Sequence, residues 1–362
     1  MSERRRRDPP KLNNDGVAQR RPGSGRGPAS WRYEACNDLK KVTSAPRIGS
    51  RVGLTILTVE MKRKSSQQIL SDLEAEDDQL VKRRIGIWTL EKLAILDLYF
   101  HAFTTASAKA GGGVCVDGLA GPGLCEVRGA RVPPRFIWGS PLLAARAAPP
   151  FQRCIFIEKN PQLANALTAR TRAFGNRVLI KTRDVNEELP RVVRDEVPRQ
   201  APCFCLLDPE GLELAWHAIR SAAFVTGRRR KPEFLVLFPS SWLMRLLPRK
   251  GIVNPRHTTI LDRLMPEPGW RDVYELRRSR RISPSEAKDR YVELYRQGFQ
   301  ALGYRAFSHP VQAPRIPGGK RLERYQLIFA TEHEAGAKIM LDVFERPYVL
   351  DLPVSGQAPL FE

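Results

Sequence analysis

Five short apolar runs recur through the middle of this chain, and they constrain its fold more than any other feature. They are "VCV" at 114–116, "RCIFI" at 153–157, "RVLI" at 177–180, "CFCLL" at 203–207 and "EFLVLF" at 233–238. Each is nearly continuous in apolar residues rather than alternating, so each predicts a strand covered on both faces. Helical stretches separate them. "PQLANALTARTRAFG" begins on Pro161 and stops at Gly175, and "LELAWHAIRSAAF" follows the fourth run. This alternation predicts an α/β fold with a Rossmann-like, doubly wound, mostly parallel sheet. Near the end of the chain, "YRAFSHPV" and "RYQLIFATEH" flank a polar, Gly-rich loop. They predict a C-terminal antiparallel hairpin on that sheet. Further helices are predicted for "EKLAILDLYFHAF", "EAGAKIMLDVFE" and "SPSEAKDRYVELYRQGFQALG", the last with Ser283 as N-cap and Pro284 at its first position.

In an open parallel sheet, ligands sit beyond the carboxyl ends of the strands. Asp117, Glu158, Asp184 and Asp208 each stand at or just after such an end. The loop after the first strand reads D-G-L-A-G-P-G over 117–123. It lacks the Lys-Ser/Thr pair of a Walker loop and departs from GxGxxG, and it has no cation before Arg128. It therefore suits a ligand that lies against the backbone without bringing much negative charge. Gly121 and Gly123 would let the backbone approach closely. Asp117 can accept from an ammonium group, Glu158 from two ribose hydroxyls, and Asp184 from an adenine amine. S-adenosylmethionine, an adenosine with a cationic amino-acid tail, satisfies these positions better than NAD. The plainer alternative is a tight strand-to-helix turn with the acids as solvated strand ends.

The 362 residues are 42% hydrophobic, enough for a sizeable core. No run of about 18 uncharged apolar residues predicts a membrane span. Six scattered cysteines without a CxxC pair, and five histidines away from them, predict reduced thiols in a cytoplasmic protein and no metal. Residues 1–50 have the composition of a disordered basic leader, and 51–84 of a helical linker of uncertain extent. The folded domain is expected over 85–348, with a tail over 349–362. A formal net charge of +21 favours a polyanionic partner, most simply nucleic acid. "RRRK" at 228–231 and "RRSRR" at 277–281 are the densest basic patches. Each is solvated surface unless it lies on the cofactor side of the sheet, where phosphate contact becomes the better reading.

An ordered set of segments over residues 85–345 resembles the three-Cys-motif partner (TcmP) family of bacterial proteins. The set is "EKLAILDLYFHAF", "VDGLAGPGLCE", "GSPLLA", "FIEKN", "LLDPEGLELAW", "VLFPSSWLMRLL", "YRQGFQALGY" and "YQLIFATEH". The resemblance implies a Rossmann-like class I methyltransferase fold and a partner protein that carries the three cysteines. Three positions depart from the family pattern. Gly118 and Leu119 replace an Asp-following Leu-Phe pair, and Glu210 stands where an aromatic is common.

Asp208 and Pro209 occupy the fourth strand end, where class I methyltransferases often hold substrate, and are the candidate catalytic pair. The base-stacking aromatic of amino-directed enzymes is missing after them. Ser140 in "GSPLLA" and Glu210 are candidate substrate contacts, although Ser140 could equally cap a helix begun by Pro141. Trp216 and the Pro202-Cys203 dipeptide suit packing. The leading expectation is an S-adenosylmethionine-dependent methyltransferase acting on nucleic acid. The alternative is a non-catalytic adaptor that works with the three-cysteine partner.

Overall fold

The computed structural model describes residues 66–128, 135–249, 253–312 and 323–346. All lie within one compact unit, Thr58–Glu362. The expected leader over 1–50 and tail over 349–362 lie outside the described residues, as do Cys36 and parts of the 51–84 stretch.

In chain order the elements are α1 (Ser66–Leu73), β1 (Arg83–Ile85), α2 (Thr89–Ser107), β2 (Val114–Asp117), β3 (Leu124–Val127) and β4 (Phe136–Trp138). They continue with α3 (Ser140–Arg146), β5 (Arg153–Ile157), α4 (Pro161–Thr171), β6 (Val178–Lys181), α5 (Val185–Asp195) and β7 (Cys203–Leu207). Next come α6 (Trp216–Ala223), β8 (Glu233–Phe238), α7 (Ser240–Leu246), α8 (Pro255–Leu264), α9 (Trp270–Arg278) and α10 (Pro284–Ala301). The chain closes with β9 (Arg305–Gln312), β10 (Glu323–Thr331) and α11 (Glu334–Phe344).

Seven strands form the main sheet in the order β6-β5-β2-β7-β8-β10-β9. The five predicted strands run parallel. The hairpin adds β10 antiparallel to both β8 and β9. The doubly wound, mostly parallel sheet with a C-terminal antiparallel hairpin is therefore present. Strand order reverses at β2, whose neighbours are β5 and β7. The crevice beside its carboxyl end is where such a sheet leaves room for a ligand.

Alternate side chains enter two separate cores, as a pleated sheet covered on both faces requires. Val114, Val116, Cys203, Cys205, Phe234 and Val236 face the core built with α5, α6 and α10. Cys115, Phe204, Leu206, Leu235 and Leu237 face the core built with α2, α3 and α11. Trp216 packs edge-on against Tyr295 and Phe299, with ring centroids about 5 Å apart, so it is a core residue. Cys203 opens β7 and is buried, also as core. All five described cysteines are buried and free.

A second, three-stranded sheet has the order β1-β3-β4. Here β1, from the stretch expected to be linker, pairs parallel with β3 and reaches the glycine loop. No helix of the described residues is long and apolar enough to cross a membrane.

Helix α10 packs against Pro266 and Trp216 at a point where side-chain bulk is excluded. A Cβ at Gly298 would run into the Pro266 ring and lie 2.9 Å from Trp216 Cζ2. Helix propensity alone favours Ala over Gly by about 1 kcal/mol. Overpacking against a rigid proline costs about 1–3 kcal/mol. Gly298→Ala is therefore expected to lower stability in urea unfolding, and a stabilised variant would contradict this packing.

Candidate functional site at the carboxyl edge

The site begins with the last residue of the central strand. Asp117 is 1% exposed. Its Oδ1 accepts from the Leu119 N–H at 3.3 Å, while Oδ2 is buried with no hydrogen-bond partner among the described residues. Burial raises its pKa to about 6, and nearby Asp208 pushes in the same direction. The Ser140 hydroxyl and Lys92 pull the other way without providing Oδ2 with a completed hydrogen bond. Ser140 is the first residue of α3, whose N-cap is Gly139, so its hydroxyl is not a helix cap. It stands at Asp117 instead.

The loop after Asp117 is held from several sides. Gly118 donates to the Leu206 carbonyl and Ala120 to the Ile157 carbonyl, joining the loop to both flanking strands. A Cβ at Gly118 would lie 2.6 Å from Leu207 Cδ2 and 2.9 Å from Val185 Cγ2. Large neighbours therefore fill the space that a bulkier residue there would take. Gly121 and Gly123 have φ of +66° and +87°, which glycine adopts without strain. Arg170 of α4 donates to the Pro122 carbonyl at 2.6 Å, to both oxygens of Asp78, and to the Val81 carbonyl. Its side chain is only 4% exposed. It clamps the loop to the segment leading into β1.

Glu158 follows β5 and faces the same loop. One carboxylate oxygen accepts from the Gly121 N–H and the other from the Asn160 N–H, both at 2.8 Å. Each oxygen keeps a second lone pair for another donor. Asp184 lies at the next strand end, as the N-cap of α5. Its Oδ1 accepts from the Asn186 backbone and side chain, and Lys159 lies 3.6 Å from Oδ2. Partial burial opposes ionisation of Asp184, but the Asn186 donors and Lys159 outweigh it and hold the carboxyl below its usual range. Asp184 thus already has a structural role.

Asp208, after β7, forms a buried ion pair with Lys92 on the first turn of α2. Lys92 also favours the ionised form of Asp117. Two buried carboxylates therefore share one ammonium. Pro209 is buried beside Asp208, whereas the Glu210 side chain is 67% exposed. Arg83 Nε lies 2.8 Å from Glu210 Oε1. The Arg83 guanidinium also covers the glycine loop, about 3 Å from where a Gly121 Cβ would stand. The loop thus has a cation that its own sequence lacks, supplied by β1.

Tyr325, near the start of β10, is a further neighbour. Burial, then Asp208 and Glu91, push its phenol pKa well up, and its hydroxyl has no partner among the described residues. Sequence reasoning missed Lys92, Arg83, Arg170 and Tyr325. A Lys within the apolar face of "LEKLAIL" was the available signal for the first. For Tyr325 it was the reversed strand, which starts at the edge where the parallel strands end.

No family model matches the chain, and no curated protein matches it. Among solved structures, Trm1 from Pyrococcus horikoshii in complex with S-adenosyl-L-methionine is 11% identical, covering 74% of this chain and 61% of that one, with a TM-score of 0.37. A precorrin-6y C5,15-methyltransferase from Geobacter metallireducens is 13% identical, covering 73% and 98%, with a TM-score of 0.37. An S-adenosylmethionine-dependent O-methyltransferase from Thermotoga maritima is 13% identical, covering 69% and 67%, with a TM-score of 0.34. Likenesses this distant fix neither a family nor a chemistry.

Two outcomes follow from the buried charges. Asp117 binds its proton more tightly when folded, so stability should fall as pH rises from about 4 to about 6 and then level off. The loss is at most about 3 kcal/mol. Asp117→Asn should therefore be more stable than the parent at pH 7.5, with the gap closing near pH 4, as read by denaturant unfolding. Lys92→Met should cost about 3–5 kcal/mol by leaving Asp208 unpaired, and adding Asp208→Leu should recover much of it. Additive losses in that double-mutant cycle would show that the pair is not coupled.

Proposed function

We propose that this protein is an S-adenosylmethionine-dependent methyltransferase acting on nucleic acid. The observation that carries the reading is the charge pattern around the glycine loop. A buried carboxylate with one unpartnered oxygen, Asp117, lies beneath it, and the guanidinium of Arg83 lies over it. An α-amino acid presents the complementary pair, an ammonium and a carboxylate. The sheet order supports the same reading. A plain dinucleotide fold continues in parallel strands, whereas class I methyltransferases carry a reversed strand between the fifth strand and the edge, as β10 is here.

The residues present fit this cofactor. Asp117 would take the ammonium, which lowers its pKa and completes its hydrogen bonding. Arg83 would exchange Glu210 for the carboxylate. Glu158 would accept from the ribose hydroxyls with its second lone pairs, and Asp184 would stand nearest the adenine. Gly121 and Gly123 keep side chains out of the loop. When bound, the cofactor supplies a methyl group on a sulfonium. The part left to the protein is mainly alignment of the acceptor, for which Asp208, Lys92, Pro209 and the Tyr325 hydroxyl form the adjoining wall. Ser140 would act through Asp117 rather than on substrate.

A nucleic-acid acceptor is supported by the same edge of the molecule. Trp242 of α7 is 48% exposed, with the Arg245 guanidinium 4.8 Å from its ring centroid, and Arg324 lies 4.5 Å over Trp88. The exposed Trp242–Arg245 pair suits stacked bases and a phosphate backbone, while Trp88 and Arg324 are half-buried. The second reading is a non-catalytic adaptor for a three-cysteine-motif partner, in line with the family resemblance. It rests on Glu210, whose ion pair with Arg83 lies across the loop where an aromatic is common in that family.

Calorimetric titration of the full chain with S-adenosylmethionine separates the readings. Micromolar binding is expected, weakened at least about tenfold in the Asp117→Asn, Glu158→Gln double variant. Affinity should fall as pH drops through about 6, with proton release visible as a dependence on buffer ionisation enthalpy. Methyl transfer to RNA or DNA would then establish the activity. A folded protein that binds no cofactor leaves the adaptor as the standing reading.

A further inference from the structure

We propose that a cavity lined by Arg249, Arg277 and Arg280 holds a backbone phosphate of single-stranded nucleic acid, outside the methyl-transfer site. This rests on the nucleic-acid reading above and adds a place where the strand is held. The cavity has a volume of about 360 Å³ and is completed by Ile282 and Pro284. Among the described residues its wall thus has three arginines and no carboxylate.

Arg277 and Arg280 belong to the 277–281 basic run, and the fold places that run at the carboxyl edge. Helix α7 starts at Ser240, just after β8 ends, and Arg249 follows it. Ser240 donates to Glu323 Oε1 at 3.0 Å, and Lys288 donates to Glu323 Oε2 at 2.7 Å. Lys288 is one turn along α10 from Pro284, which lines the cavity, and Glu323 is two residues from Tyr325. The cavity therefore lies on the carboxyl side of β8, one helical turn from the Lys288–Glu323 ion pair. The 228–231 run has the opposite placement. It precedes β8, and two of its four cations are already used: Arg228 donates to the Val197, Pro198 and Ala201 carbonyls, and Lys231 to Leu302.

Two local features distinguish the cavity from a solvated basic surface. Arg277 is anchored by Nη1 to the Leu247 carbonyl at 2.8 Å, while its Nε is buried without a partner among the described residues. Arg280 has φ of +61° just past the end of α9, a position that glycine or asparagine normally takes. An arginine held there at a conformational cost points to a role for its side chain. Three arginines around one space offer the planar donors that suit the acceptor oxygens of a phosphodiester.

The experiment uses the full chain and a single-stranded oligonucleotide of about 20 nucleotides, read by fluorescence anisotropy across a salt series. Arg249→Gln with Arg280→Gly should weaken binding about tenfold at 0.1 M salt. It should also flatten the slope of log K against log salt by about 1.4, the share of two phosphate contacts on a single strand. Arg280→Gly relieves the backbone, so the melting temperature should not fall, and S-adenosylmethionine affinity should be unchanged. Arg191→Gln with Arg194→Gln, of equal charge loss on α5, serves as control. Unchanged oligonucleotide binding, or an equal loss in the control, overturns the proposal. So does a parent protein that binds no oligonucleotide, or one whose arginine-dependent binding is to phosphatidylserine vesicles alone. Loss of oligonucleotide binding with intact cofactor binding supports it. If the parent binds no cofactor yet shows the arginine dependence, only the methyltransferase reading falls.

Discussion

Two carboxylates and one ammonium buried together at the end of the central strands set the terms for everything around them. Asp117 and Asp208 are neighbours because β2 and β7 pair in parallel, with Asp117 opposite Leu206. Each ends its strand at the same edge, and each is almost fully buried. Two like charges so placed cannot both ionise at ordinary cost. Lys92 offsets one of them from the first turn of α2. Burial first, and Asp208 beside it to a smaller degree, raise the pKa of the Asp117 carboxyl. A fold selected for stability alone would put an amide or an apolar group at this position. The imbalance makes sense where a cation is bound for part of the time.

The second constraint is the loop over that charge. Its two left-handed glycines carry no side chains to pack it, so the rest of the protein must fix it in place. Arg170 does so through four acceptors drawn from the loop and from the approach to β1. Through Asp78 and Val81 the same side chain fixes where β1 starts, and β1 carries Arg83 over the loop. The position of the covering cation thus depends on a buried arginine on a different helix. An Arg is suited to this role because its planar fork satisfies several acceptors at once.

The parallel sheet and its hairpin were legible because burial on both faces leaves continuous apolar runs, and "CFCLL" or "EFLVLF" admits little else. The four strand-end acids were legible for the same reason, since strand ends are easy to place. The small sheet was not. Its strands of three and four residues are too short to carry a period, and β1 is recognisable only by its partner β3. Nor was the ion pair legible, because 116 residues separate Lys92 from Asp208. Asp184 shows the converse. An Asp before Val-Asn-Glu-Glu reads equally as a strand-end acid or a helix N-cap, and the structure gives it the cap.

Basic composition is the feature most easily misjudged from sequence, and topology resolves it. The runs at 228–231 and 277–281 are similar in composition, yet the first precedes a parallel strand and the second closes α9, whose Arg277 is tied to the end of the helix that follows that strand. At the amino edge, Arg228 and Lys231 satisfy carbonyls of neighbouring turns, which is structural work. At the carboxyl edge, Arg249, Arg277 and Arg280 line one cavity. The net charge of +21 is a property of the whole chain. Only the fraction that faces the strand ends bears on a ligand there, and strand direction decides which residues make up that fraction.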